Sequence, residues 1–282
     1  MKTVAVTGSF DDLRSQHVRF LEEAGKLGAV RVLLWSDAAV TALTGKPPKF
    51  PLAERHYLLQ AVRYVQSVEQ IDYHLDALPV VAGLQPDIWA VTEADDDDRI
   101  RAFCTAQGIA YHVFSAADLG GFPELPGTAD QHLLSASPHP TGKPSAHPSV
   151  IVTGCYDWLH SGHVRFFEEV SELGGLYVAV GNDANVRHLK GAGHPLQCQD
   201  ERRYMVGAIR YVTQALLTSG HGWMDAEPEI ERLKPDMYAV NEDGDVPEKR
   251  AFCQTHGLRY VVLKRTPKGG LSKRSSTDLR GF

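Results

Sequence analysis

Ser149-Val150-Ile151-Val152-Thr153-Gly154-Cys155-Tyr156-Asp157-Trp158-Leu159-His160-Ser161-Gly162-His163 is the stretch on which the fold turns. Its opening residues form the apolar, β-branched run expected of a strand buried in a parallel sheet. After His163, apolar residues recur at helical spacing over 164–173, with Glu168, Glu169 and Glu172 facing out. Strand, glycine turn and helix in this order make a place for phosphate, because the first N–H groups of a helix lack partners within it and its dipole favours an anion there. Two imidazoles three residues apart add donors at that point. Taken alone, so short a motif reads equally as a helix cap carrying two surface histidines.

Working outward, the second half alternates apolar runs with amphipathic stretches. The pattern predicts strands near 149–154, 176–181, 213–218, 236–240 and 258–263, and helices near 161–173, 200–212, 227–233 and 246–256. That alternation is the mark of an α/β unit with a parallel sheet and right-handed crossovers. Ligands of such sheets sit beyond the carboxyl ends of the strands, where the Gly154 turn and the 241–245 loop both emerge. The terminal run Lys273-Arg274-Ser275-Ser276-Thr277-Asp278-Leu279-Arg280 groups three hydroxyls with flanking cations, which suits a second phosphate-binding helix start.

The first half repeats the second. Thr7-Gly8-Ser9-Phe10-Asp11 aligns with Thr153-Gly154-Cys155-Tyr156-Asp157, and His17-Val18-Arg19-Phe20 with His163-Val164-Arg165-Phe166. Glu54-Arg55, Pro86-Asp87 and Arg101-Ala102-Phe103-Cys104 recur in the same order as Glu201-Arg202, Pro235-Asp236 and Arg250-Ala251-Phe252-Cys253. The differences fall where phosphate would be held: His160 and Gly162 become Arg14 and Gln16, and the cationic loop 264–274 has no counterpart. The expected organisation is a degenerate, inactive first domain over 1–123, a linker over 124–148 rich in Pro, Ser, Gly and His, and an active domain over 149–282. His112, His132, His139 and His147 are irregularly spaced and receive no role.

The chain has 282 residues, 43% of them hydrophobic and 23% charged, enough for sizeable cores without staples. No apolar run approaches the roughly 20 residues that span a bilayer, and the N-terminus runs straight into a strand, so a cytoplasmic protein without membrane insertion is expected. Cys104, Cys155, Cys198 and Cys253 show neither disulfide nor zinc spacing; Cys104 and Cys253 occupy equivalent positions and read as buried fillers. A net charge of −6 argues against nucleic acid as partner while leaving room for a local cationic pocket.

Residues 149–282, through the run from Gly154 to His163, Lys190, Asp200-Glu201-Arg202 and the hydroxyl tail, resemble the cytidylyltransferase-like nucleotidyltransferase superfamily. This group includes glycerol-3-phosphate and ethanolamine-phosphate cytidylyltransferases and heptose-phosphate adenylyltransferases. The resemblance implies two tandem Rossmann-like nucleotidyltransferase domains, each with a parallel sheet flanked by helices. It also implies that His160, His163, Lys190 and Arg202 stabilise the transition state, with Lys190 in a loop with two glycines. Arg202 reads equally as part of a structural salt bridge, since Arg55 keeps its counterpart. Nucleotide binding is expected from Thr153, Gly154, Cys155, Tyr156, Asp157, Gly162, Asn241, Asp243, Ser275, Ser276, Thr277 and Arg280. Asp157 is either a turn-stabilising carboxylate or an indirect magnesium ligand, and Tyr156 either stacks on a base or packs in the core.

The partners so implied are a nucleoside triphosphate and a small phosphorylated acceptor, with Mg2+ brought by the triphosphate and no dedicated metal ligands. The expected reaction is transfer of CMP from CTP to a small phosphorylated alcohol or sugar, with release of pyrophosphate. An adenylyltransferase making an ADP-sugar from ATP is the alternative, because 183–195 looks closer to the heptose-phosphate enzymes; a non-catalytic nucleotide-binding scaffold or sensor is the second. The two repeats could form an intrachain pseudo-dimer, alone or within a homodimer. Acceptor specificity is expected from loops 186–198 and 219–227.

Overall fold

Ten strands, paired in parallel throughout, make two sheets of the same design in a computed structural model that describes residues 1–72, 85–123, 148–275 and 279. The chain divides into Met1–Gly121 and Phe122–Phe282; the linker expected over 124–148, apart from Pro148, lies outside the described residues. The first unit runs β1 (Thr3–Gly8), α1 (Ser15–Leu27), β2 (Ala29–Trp35), α2 (Asp37–Thr44), α3 (Leu52–Ala61), β3 (Val65–Ile71), β4 (Ile88–Thr92), α4 (Asp98–Gln107) and β5 (Ala110–Phe114). The second runs β6 (Ser149–Gly154), α5 (Ser161–Ser171), β7 (Gly175–Val180), α6 (Asp183–Lys190), α7 (Gln199–Gly207), β8 (Gln214–Leu217), α8 (Glu227–Leu233), β9 (Met237–Asn241), α9 (Pro247–Thr255) and β10 (Arg259–Leu263).

The strand orders are β3-β2-β1-β4-β5 and β8-β7-β6-β9-β10. Registers also correspond: Thr3 pairs with Ala29 as Ser149 pairs with Gly175, and Val4 with Ile88 as Val150 with Met237. Each sheet is therefore the α/β arrangement expected, with β1 or β6 at its centre. The repeated Pro-Asp motif has a structural reason. Asp87 accepts hydrogen bonds from the N–H and hydroxyl of Thr3 (2.7 and 2.9 Å), and Asp236 from those of Ser149 (2.7 and 3.0 Å), so one carboxylate fixes the start of each central strand.

The second-half strands fall where the apolar runs predict them. Val150, Ile151 and Val152 are fully buried. Along α5, Val164, Phe167 and Val170 bury the inner face. On its outer face Arg165 pairs with Glu168 and Glu169 at 2.9 and 2.6 Å, the spacing at which helix side chains meet. Cys104 and Cys253 are buried in the two cores, and burial pushes both thiols up to about 11. No described helix is long and apolar enough to cross a membrane.

Two expectations are corrected. Lys190 does not lie in a loop: it is the last residue of α6, which Gly191 ends at φ +86°. This helix is short and mostly polar, with Val186 as its buried apolar side chain, and its start is set by polar contacts. Asn182 caps it by accepting from the Asn185 N–H at 2.8 Å. The helix predicted over 200–212 stops at Gly207, and backbone hydrogen bonds from Ile209 to Val206 and from Val212 to Ile209 turn the chain toward β8. Ala208, Ile209 and Val212 are buried in that turn, which is why their spacing mimics a continuing helix.

Candidate active site

The chain leaves β6 through a turn that only a glycine accommodates. Tyr156 adopts φ +53°, and its ring folds back so closely that a Cβ on Gly154 would sit 2.7 Å from the ring. A positive φ is uncommon for an aromatic residue, yet Phe10 does the same after β1 at φ +43°. Tyr156 is buried and packs against His163 and Phe167 at ring distances of 5.2 and 5.3 Å. Of the two readings of Tyr156, this packing favours the core.

His160 caps α5, its Nδ1 accepting from the Gly162 N–H at 3.1 Å. Its ring stacks on His163 at 3.9 Å. Gly162 makes this possible, because a Cβ there would come within 2.9 Å of the His160 ring and 3.4 Å of the Arg274 carbonyl. That second contact brings the stretch before the tail to the helix start. Ser276, Thr277 and Arg280 lie outside the described residues.

His163 keeps part of its ring accessible, while its Nδ1 is buried without a hydrogen-bond partner among the described residues. Burial holds it well below the ordinary imidazole range. The charges of His160, Arg265 and Lys190 act in the same direction, and a hydrogen bond to the Trp158 backbone opposes them. Lys190 and Arg265 thus both act electrostatically on this ring. Lys190 also acts on the Cys155 thiol, which burial raises. Arg265, just after β10, pairs with Asp243 and donates to the Arg274 carbonyl at 3.0 Å. The cleft at the α5 start is lined by Ser161, Gly162, Asn241, Lys264, Arg265 and Arg274. The sequence reading marked the loop 264–274 as cationic without assigning Arg265 to the site; its absence from the first half was the available signal.

Asp157 and Arg202 build the frame beneath this layer. Asp157 is 2% exposed and its Oδ1 accepts from the N–H groups of Leu196 and Gln197 at 2.6 and 3.0 Å, with His194 3.5 Å from Oδ2. It ties the loop after α6 to the β6 turn. Arg202 is fully buried: Nε donates to the Gln197 carbonyl (3.0 Å), one Nη to the Cys155 carbonyl (2.7 Å) and the other to Asp183 (2.6 Å). Arg55 makes the same three bonds, to Phe50, Ser9 and Asp37, and Asp11 holds the N–H groups of Lys49 and Phe50. Thr153 shares a 2.7 Å hydrogen bond with the Tyr238 hydroxyl. The two loops expected to shape the acceptor pocket are joined through α6, where buried Asn185 exchanges hydrogen bonds with Gly222 at 2.8 and 3.0 Å. Among the described residues, the grouping with metal-ligand spacing is Glu227, Glu231 and His256, exposed on α8 and just after α9 and apart from the residues lining this cleft.

The depressed histidines carry a pH consequence. Burial lowers His17 as it does His163, so both stay neutral in the folded chain below about pH 6.5, where an unfolded histidine takes up a proton. Unfolding is then linked to proton uptake, and stability falls as pH drops through that value. Urea midpoints are expected to be lower at about pH 5.5 than at about pH 7.5, and His163→Asn should reduce the difference. Equal midpoints at the two pH values would contradict this.

The family model described as cytidylyltransferase-like matches residues 151–281. An FAD synthase of Ferroglobus placidus is 37% identical over 118 residues, covering 41% of this chain and 74% of the relative. One of Archaeoglobus profundus is 37% identical over 133 residues, covering 46% and 82%. The bifunctional protein HldE of Campylobacter concisus is 32% identical over 95 residues, covering 33% of this chain and 20% of that protein. With its paired imidazoles at a helix start and a parallel sheet of matching design, the chain belongs, through its second half, to the cytidylyltransferase-like family of nucleotidyltransferases.

Proposed function

We propose that the second unit transfers an adenylyl group from ATP to a small phosphorylated acceptor of the flavin mononucleotide type. An oxygen of the acceptor phosphate attacks the α-phosphorus, the new P–O bond forms, and the bond to the β-phosphate oxygen breaks to release pyrophosphate. Such a displacement asks the protein for alignment and for neutralisation of growing negative charge. The observation that supports the reading is the stacked pair His160 and His163 at the start of α5, beside a cleft lined by Lys264, Arg265 and Arg274. His160 and His163 direct N–H groups at the phosphates, Lys190 bridges nucleotide and acceptor, and the Ser275-Ser276-Thr277 tail with Arg280 holds the outer phosphates. Arg202 and Asp157 position this set without touching substrate.

Magnesium, in this reading, arrives on the triphosphate and neutralises it. Asp157 is committed to two backbone N–H groups and offers no open ligand set, so no step is assigned to a protein-held metal. The choice of base follows the relatives: FAD is by its name an adenine dinucleotide, which moves the reading from CTP toward ATP. CTP remains the second arm of the test, since the Gly154-Cys155-Tyr156-Asp157 opening resembles the ethanolamine-phosphate enzymes. Pyrophosphate release is measured with ATP or CTP against flavin mononucleotide, sugar phosphates and alcohol phosphates. Turnover confined to CTP would overturn the adenylyl assignment.

Lys190→Met is expected to lower kcat/KM by about 10²-fold, since one charged donor to the phosphates is lost. Its place on the exposed end of α6 leaves stability unchanged. A kcat/KM within twofold or so of the parent would remove Lys190 from the site.

A further inference from the structure

The first unit keeps a crevice at the carboxyl ends of its strands, with the opposite chemistry. A cavity of about 700 Å³ lies there, walled by Phe10, Phe20, Trp35 and Phe114 and rimmed by Glu93, Asp95 and Asp97. No Lys or Arg is among the described residues that line it. Aligning equivalent elements by position shows which cations the first unit lacks and which carboxylates it adds. Lys190, last in α6, corresponds to Thr44, last in α2. Lys249 and Gly244 correspond to Ile100 and Asp95, and Val246 to Asp97, counting from the paired β9 and β4 ends. Gly181 after β7 is replaced by Trp35, whose Nε1 donates to the Thr7 hydroxyl at 2.8 Å and fixes the indole at the cavity wall.

The cations near the cavity are already matched. Arg14 pairs with Asp12 at 2.7 Å, and Arg99 with Asp97 at 2.6 Å. Glu93 and Asp95 are held by neutral donors, the Ala116 N–H at 3.0 Å and the Thr92 hydroxyl at 2.7 Å, which leave their negative charge in place. Aromatic faces attract a cation through their quadrupole, and two carboxylates at the rim add Coulomb attraction. A phosphate chain would meet repulsion at the same rim.

We propose that this crevice is a binding site for a small organic cation with an aromatic or apolar body, an amine or quaternary ammonium compound without phosphate. Calorimetric titration of the full chain with benzyltrimethylammonium tests it, with benzoate as the anionic counterpart. The expected result is saturable binding of one cation per chain, weakened at least about tenfold by the exposed pair Glu93→Gln and Asp95→Asn, and also by Trp35→Leu. Binding should survive His160→Asn, which alters only the second unit, and benzoate should not compete. Absence of cation binding at millimolar concentration, an affinity unchanged by the carboxylate pair, or displacement by benzoate would each overturn the proposal. Neither result bears on nucleotidyl transfer by the second unit, which is read separately as pyrophosphate release.

Discussion

His160→Asn in the full chain is expected to lower kcat by about 10²–10³-fold, the loss seen when one donor to developing charge is removed from a preorganised site. Asparagine is chosen because its amide oxygen can take over the bond from the Gly162 N–H that His160 now accepts, so the α5 cap survives while the imidazole is lost. His160→Ala removes the cap as well and should destabilise the second unit by about 1 kcal/mol beyond that. Affinity for ATP should change far less than turnover, since donors used mainly in the transition state contribute little to ground-state binding. A control in the first unit, His17→Asn at the position equivalent to His163, should leave turnover intact, because His17 already accepts the Arg14 N–H and has no stacked imidazole partner. Full turnover in His160→Asn would remove the paired imidazoles from catalysis. A parent with no turnover on any pair, but with unchanged nucleotide affinity in the variant, would instead describe a sensor.

What the sequence disclosed and what it hid divide along a physical line. Apolar burial writes itself into periodicity: Val150, Ile151 and Val152, the α5 face from Val164 to Val170, and the Cys253 position were all readable. The paired imidazoles were readable too, because a glycine turn between strand and helix constrains what can follow. Helix α6 was not. Its inner face buries Val186 but is otherwise held by Asn185 and by the Asp183–Arg202 ion pair, which hydrophobic periodicity does not record. Lys190 was therefore singled out through the family resemblance while its place on a helix end was missed. Arg265 was hidden for another reason: a lysine- and arginine-rich loop resembles any solvated surface until the fold brings it to the α5 start.

The two units together separate frame from site. Asp11 and Asp157, Arg55 and Arg202, and Asp87 and Asp236 make the same bonds in both. What differs is the layer above them: imidazole for guanidinium at the α5 start, Lys190 against Thr44, and the cationic loop against an open acidic crevice. The motifs that made the repeat visible are thus mostly determinants of the turn and of the loop after α2 or α6. The residues to which we assign nucleotidyl transfer in the second unit lie in the differences.

Arg202 is where that separation has its largest energetic consequence. Arg202→Ala is expected to destabilise the second unit by about 3 kcal/mol, because it leaves the Gln197 and Cys155 carbonyls without their buried donor and Asp183 without its partner. Partial exposure of Asp183, at 30%, keeps the effect at the lower end of what breaking a buried pair costs. Arg202→Lys should recover little, since a single ammonium cannot span three acceptors that a planar guanidinium reaches at once. Arg55→Ala should destabilise the first unit by a similar amount through the same three bonds. Urea unfolding should show the loss in a different unit for each variant, and turnover distinguishes them further. Arg202→Ala frees the β6 turn and the loop held by Asp157, so kcat falls with stability, whereas Arg55→Ala leaves kcat unchanged at temperatures where both units are folded. Unchanged stability in Arg202→Ala together with abolished turnover would return this arginine to the phosphates and make Arg55 the remnant of a second active centre.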